Sequence, residues 1–295
     1  MARLGIMTTE FPDRTIGDAA RALRSHGVAT AQLQLGSVVD QVTITDSLQR
    51  GLDVTGPYLS DALAKIINGT CTELGVTIAA VDGTYNMIHP DRDRRFRNLD
   101  HLLRLIQLAR PMGTGLVTLC TGTRADTMWQ RDPLNSSPEA WNDLVEQLRP
   151  ATRAAESAGV TLAFEPEHAN VVDSAKRAVR LIDAVGSPAL KVLFDPANVF
   201  HRGDLQRQRD HLAEAFDLVS EHIALVHAKD LDHDGAAGGR AAGQGLLDYP
   251  FILSELDRRG YDGAIILHQL KELDGPGIDH ALQFLRDLAP RGYLS

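Results

Sequence analysis

Short apolar runs recur along the whole chain, each bounded by polar residues or glycine. They cover residues 4–8, 30–35, 76–81, 116–121, 160–164, 191–194, 223–226 and 264–267. Runs this short, with little alternation, read as strands covered on both faces. Between them the period becomes helical. "IGDAARALRSHG" brings Ile16, Ala19, Ala20 and Leu23 to one face, and "NLDHLLRLIQLARPMG" does the same with Leu99, Leu102, Leu103, Ile106 and Leu108. Further helices are predicted in "EAWNDLVEQLRPATRAAESAG", where Pro150 implies a kink or a break into two, and in "SAKRAVRLIDAVG", "HLAEAFDLVSE" and "YPFILSELDRRGYDG". Gly27, Gly75, Gly159 and Gly260 close helices just before the next strand, as the short loops of a β/α repeat require.

Strands alternating with helices, with no linker or shift of composition, predict a parallel sheet. Eight such units in 295 residues favour a closed (β/α)8 barrel, one domain over residues 1–295, over an open sheet. No GxGxxG follows the first strand, and "GGRAAGQG" at 238–245 reads as a flexible loop. Two long inserts, 36–55 and 122–137, follow strands two and four. In a barrel such loops crown the C-terminal face, where active sites are built. Trp129, in the second insert, is placed either to close over a ligand or to anchor its own loop.

Composition narrows the function classes. The formal net charge is −9, which argues against a sequence-independent grip on nucleic-acid phosphates. The one basic cluster, "HPDRDRRFRNLDHLLR", is interleaved with acids and reads as a solvated helix face. No apolar run approaches the ~18–20 residues that span a bilayer. Two cysteines, Cys71 and Cys120, make no disulfide framework, and the N-terminus shows no signal-peptide pattern, so a cytoplasmic location is expected.

The candidate chemistry lies at the ends of the last four strands. Glu165, Asp195, His227 and His268 are each the first ionisable group after an apolar run, and in a barrel all four share one rim. Carboxylates and imidazoles together suit one divalent ion such as Mn²⁺, Co²⁺, Mg²⁺ or Zn²⁺. Strand alternation should turn Glu167 inward with Glu165, and Lys229 with His227, and should turn His168 and Asp230 away. Lys229 is then a candidate to bind a substrate oxyanion or phosphate.

With the motifs "TYNMIHPD", "TLCTGTR", "FEPEHANVV", "FDPAN", "VHAKD" and "GQGLLDYPFILSELDRRGYDG", the chain resembles the xylose isomerase-like TIM-barrel family over essentially its whole length. That family includes sugar-phosphate isomerases and epimerases, ketose 3-epimerases and AP endonucleases. The resemblance implies metal ligands at Glu165, Asp195 and His227, and aligns His268 with the family's usual fourth ligand, a glutamate. Asn198 stands where some relatives have a histidine. His89, in the first motif, joins Lys229 and Trp129 as a candidate substrate contact. The resemblance also suggests a homodimer or homotetramer.

The leading expectation is a metal-dependent isomerase or epimerase of a small sugar or sugar phosphate. A carboxylate would remove the proton next to a carbonyl to give an enediolate. Glu165 is the expected base, with His268 as its acid partner and Glu167 as the other carboxylate in reach. The alternatives are a metal-dependent phosphodiester hydrolase, a lyase or dehydratase using the same enediolate chemistry, and an inactive sugar-binding protein.

Overall fold

The computed structural model describes residues 1–11, 15–38, 59–235, 238–270 and 277–295, so most of the 36–55 insert lies outside the described residues. Among them are strands β1 (Arg3–Met7), β2 (Thr30–Leu33), β3 (Thr77–Asp82), β4 (Leu116–Cys120), β5 (Thr161–Glu165), β6 (Leu190–Phe194), β7 (Ile223–Asp230), β8 (Arg240–Ala241) and β9 (Ala264–Leu267). Strands β1 to β7 and β9 pair in parallel. β1 lies between β2 and β9, and β6 pairs with β7, which closes the ring. The architecture is the predicted (β/α)8 barrel.

The α-helices among the described residues are α1 (Ile16–Ser25), α2 (Asp61–Glu73), α3 (Arg92–Ala109), α4 (Pro138–Ala158), α5 (Ala175–Val185), α6 (Gln208–Val219), α7 (Tyr249–Arg258) and α8 (Gly277–Leu288). Side-chain oxygens of Thr15, Ser60, Asp91, Ser137, Ser174 and Asp248 accept N–H bonds from the first turns of α1 to α5 and α7. Pro150 neither ends α4 nor splits it. The buried face of Leu144, Leu148, Ala151 and Ala155 runs past it, and that shared burial holds the helix together as one unit. None of the helices among the described residues is long and apolar enough to cross a membrane.

Two apolar layers show which way each strand residue faces. Leu4, Ile6, Ala31, Leu33, Val117, Leu162, Phe164, Val192, Phe194, Val226 and Ile265 pack outward with the helices. Ala80, Ala163, Leu193, Leu225, Ala264 and Ile266 form a smaller plug inside the ring. Side chains alternate along a strand, so the residues two places beyond the plug continue on its inner face, at the C-terminal mouth. The "GGRAAGQG" stretch departs from the expected loop. Within it, β8 pairs antiparallel with the end of β7, Lys229 opposite Ala241 and Asp230 opposite Arg240. Asp230 turns away from the mouth as expected. Its carboxylate accepts the backbone N–H groups of Leu231, Gly243 and Leu247, which ties this segment down.

Gly122 links two of the loops at the mouth. Its φ is +83°, its N–H donates to Asn170 Oδ1 (2.7 Å), and its carbonyl accepts from Val171 N–H (2.9 Å). A Cβ there would collide with Asn86 Oδ1 and lie 2.8 Å from the Met87 nitrogen. Gly122→Ala should therefore cost about 2 kcal/mol or more. Thermal unfolding should show a Tm several degrees lower, and an unchanged Tm would contradict this packing.

Candidate metal and catalytic centre

The inner-face parity brings the four predicted groups together. Glu165 follows Ala163 on β5, Asp195 follows Leu193 on β6, His227 follows Leu225 on β7, and His268 follows Ile266 on β9. His227 Nδ1 lies 3.4 Å from Glu165 Oε1 and 3.8 Å from Asp195 Oδ2. His268 Nε2 lies 3.3 Å from Asp195 Oδ2, and the two imidazole rings are 4.3 Å apart. Lys229 Nζ sits 3.0 Å from the same Asp195 oxygen. Asn198 donates to Glu165 Oε1 (2.8 Å), while among the described residues Glu165 Oε2 meets only the weak thiol donor of Cys120, at 3.7 Å.

A divalent cation fits this arrangement. His227 Nδ1 is buried and carries no hydrogen bond among the described residues, yet it faces two carboxylates. Asp195, His227 and His268 can each offer one ligand atom, all within 4.8 Å of one another. With Glu165 beside them, the donors are two nitrogens and two carboxylates. That set suits borderline cations such as Mn²⁺, Co²⁺ or Zn²⁺.

The charges around the centre are strongly coupled. Burial disfavours ionised Glu165, but His227 and Lys229 outweigh it and hold its carboxyl below the usual range. Burial opposes ionised Asp195 too, and Lys229, His268 and His227 overcome it, so its pKa is depressed. Burial works against the Lys229 ammonium, and Asp195 and Glu165 reverse that and raise its pKa. His268 goes the other way: burial, with His227 adding to it, pushes it down from 6.5 to about 4. Burial thus favours its neutral form, the form that can ligate a cation.

The remaining candidates divide. Trp129 lines the mouth of the cavity and is 60% exposed, and Glu167, His168 and Lys229 line it as well. The cavity measures about 720 Å³. Glu167 Oε2 accepts from the Ala169 N–H (3.1 Å) and from Asn170 Nδ2 (2.7 Å), so this carboxylate is already engaged. His168 was expected to point away. Instead its Nδ1 lies 2.7 Å from Glu167 Oε1, because β5 ends at Glu165 and strand alternation lapses beyond it. His89 is not among the residues lining the cavity. Its Nδ1 accepts from the Asp91 N–H (3.0 Å) at the start of α3, which draws the ring to the helix terminus. Arg95 departs from the solvated helix face. It is buried, donates to the His89 carbonyl (2.6 Å) and pairs with Asp143 (3.2 Å).

Some contributors were not anticipated. Asp82, at the end of β3, lines the cavity, as do Gln32 on β2 and Thr118 on β4. Asp82 is an ionisable group closing an apolar run, the same signal that marked the last four strands. Glu10 accepts the backbone N–H groups of Gln269 and Leu270, both at 2.9 Å. It thereby fixes the turn after His268, where Gln269 has a φ of 60°.

The profile of the xylose isomerase-like TIM barrel matches residues 21–288. The chain belongs to this family. Among curated proteins, a 3-dehydroshikimate dehydratase from Pseudomonas putida is 26% identical over 202 residues, covering 67% of this chain and 30% of that protein's length. Two solved structures share the fold of this xylose isomerase-like barrel. A 3-keto-D-glucoside 4-epimerase from E. coli superposes with a TM-score of 0.72 at 16% identity, covering 97% of this chain and 100% of that one. A D-psicose 3-epimerase from Clostridium cellulolyticum H10 gives 0.69 at 16% identity, covering 98% and 99%.

The depressed His268 makes stability depend on pH. An unfolded xylose isomerase-like chain takes a proton at this histidine near pH 6.5, whereas the folded protein resists until about pH 4. Metal-free protein should therefore lose stability as pH falls through that window, with His268 contributing at most about 3 kcal/mol. Urea titrations at pH 7 and pH 4.5 should show a smaller loss for His268→Gln than for wild type. Equal losses would place His268 in a less desolvated setting.

Proposed function

We propose that the protein is a divalent-metal-dependent enzyme that enolises a polyhydroxylated carbonyl compound, as an isomerase or epimerase of a sugar-like substrate. The observation that carries this reading is the bare, buried Nδ1 of His227, held 3.4 Å from Glu165 at the base of an open cavity. Asp195, His227 and His268, with Glu165 at their edge, would hold the cation. A bound cation supplies Lewis acidity to a substrate carbonyl oxygen.

The protein's own groups do the rest. Glu165 turns Oε1 toward His227 and Asn198, which leaves Oε2 as the oxygen that takes the carbon-bound proton. His227 and Lys229 keep the carboxylate ionised, and Asn198 orients it for that task. Lys229 places its ammonium where negative charge develops on substrate oxygen. Glu167, engaged by Asn170 and the Ala169 amide, is an orienting group here and not a second base. It holds His168, and that imidazole delivers the proton to a substrate oxygen. Trp129 offers an apolar face to the substrate at the mouth.

A second reading has a specific observation behind it. The curated relative matched over two thirds of the chain is a dehydratase. The same pair would then serve elimination, with Glu165 removing the proton and His168 protonating the departing hydroxyl. The two readings differ in their product, since elimination leaves a conjugated chromophore and isomerisation does not.

In D₂O with Mn²⁺, a panel of ketohexoses, 3-keto-glucosides and 3-dehydroshikimate should include a compound that exchanges its carbonyl-adjacent proton. Glu165→Gln should slow that exchange by roughly 10²–10⁴-fold, and chelation should abolish it until Mn²⁺ is restored. Undiminished exchange in Glu165→Gln would remove Glu165 as the base. Undiminished exchange after chelation would remove the cation from the reaction.

A further inference from the structure

The geometry points to a hydrogen-bonded relay, Asp82–Thr118–Gln32, that fixes His227 in the tautomer able to bind a metal; this rests on His227 being a ligand. Asp82 Oδ1 stands 3.3 Å from Thr118 Oγ1 and also accepts the Thr84 N–H at 3.1 Å. Gln32 Nε2 lies 3.1 Å from Thr118 Oγ1. Gln32 Oε1 lies 2.8 Å from His227 Nε2. The relay crosses β3, β4, β2 and β7 inside the ring, and Gln32, Thr118 and His227 are all buried.

Donor and acceptor counting sets its direction. Asp82 Oδ1 is an acceptor, so the single hydroxyl proton of Thr118 points to it. Thr118 Oγ1 can then only accept, and it takes a proton from the Gln32 amide nitrogen. The amide is thereby oriented, with its oxygen toward His227. An oxygen there requires a proton on Nε2, so of the two neutral tautomers it selects the one whose Nδ1 lone pair faces Glu165 and Asp195. If Thr118 gave its proton to Gln32 instead, the amide would rotate and present its NH₂ to Nε2. His227 would then be protonated on Nδ1 and could not ligate there.

Gln32, Thr118 and Asp82 are thus positioning residues. Each acts on the His227 ring through its neighbour. Such partners of a ligating histidine are typically worth about 10–100-fold in metal affinity. Gln32 has a second effect, since the amide acceptor strengthens the donor power of the opposite ring nitrogen.

The test needs two readouts on the full chain. In metal-free protein carrying ¹⁵N-histidine, long-range ¹H–¹⁵N correlation spectra report the tautomer of His227. Wild type should show the Nε2–H form alone, Thr118→Val should show a mixture, and Thr118→Ser should restore the single form. Calorimetric titration with Mn²⁺ should show affinity weakened about 10–100-fold in Thr118→Val and Gln32→Met, and wild-type-like in Thr118→Ser. If Gln32→Met does not fold, the Thr118→Val and Thr118→Ser pair decides alone. Wild-type tautomer and affinity in Thr118→Val would overturn the relay. Failure of the wild type to bind Mn²⁺ would count against the proposed function, while the tautomer spectra still decide the relay.

Discussion

The structure turns on an electrostatic constraint at the open end of the barrel. Strand alternation in a closed ring draws Glu165, Asp195, His227, Lys229 and His268 together at the mouth, all of them buried except the half-buried His268. Two carboxylates and a bare imidazole nitrogen meet there within 4 Å. Burying such a group without compensation is costly, and the Lys229 ammonium, 3.0 Å from Asp195, supplies only part of what is missing. A divalent cation bound there, as proposed, would supply the remainder.

The surroundings serve that centre. The inner plug of small and branched residues, Ala80, Ala163, Leu193 and Ile266 among them, fills the ring beneath it. Asp230 and β8 fold the segment after β7 back over one side, and Gly122, Asn170 and Asn135 lace together the loops after β4 and β5 on the other. Glu10 clamps the turn beyond His268. These contacts lie outside the chemistry, but they set the directions in which the reacting side chains point.

The barrel was legible because each of its strands is a short apolar run followed by a helical period. The rim was legible for the last four strands because each run ends on an ionisable group. Applied to β3, the same rule would also have marked Asp82. Gln32 and Thr118 carried no such mark. They are neutral residues inside apolar runs, and their role lies in hydrogen bonds that cross the ring, which no local pattern encodes. His168 and His89 went astray for a related reason. Both lie past the end of a strand, where side-chain direction is set by the turn. The acid role expected of His268 rested on its ordinary pKa, which burial lowers.

The central claim is that Glu165, Asp195, His227 and His268 hold one divalent cation. A crystal soaked in Mn²⁺ and measured for anomalous scattering tests it most directly. One strong anomalous peak is expected within bonding distance of Glu165, Asp195, His227 Nδ1 and His268, with Lys229 displaced from Asp195. An absent peak, or one bonded elsewhere while His227 Nδ1 stays bare, would contradict it.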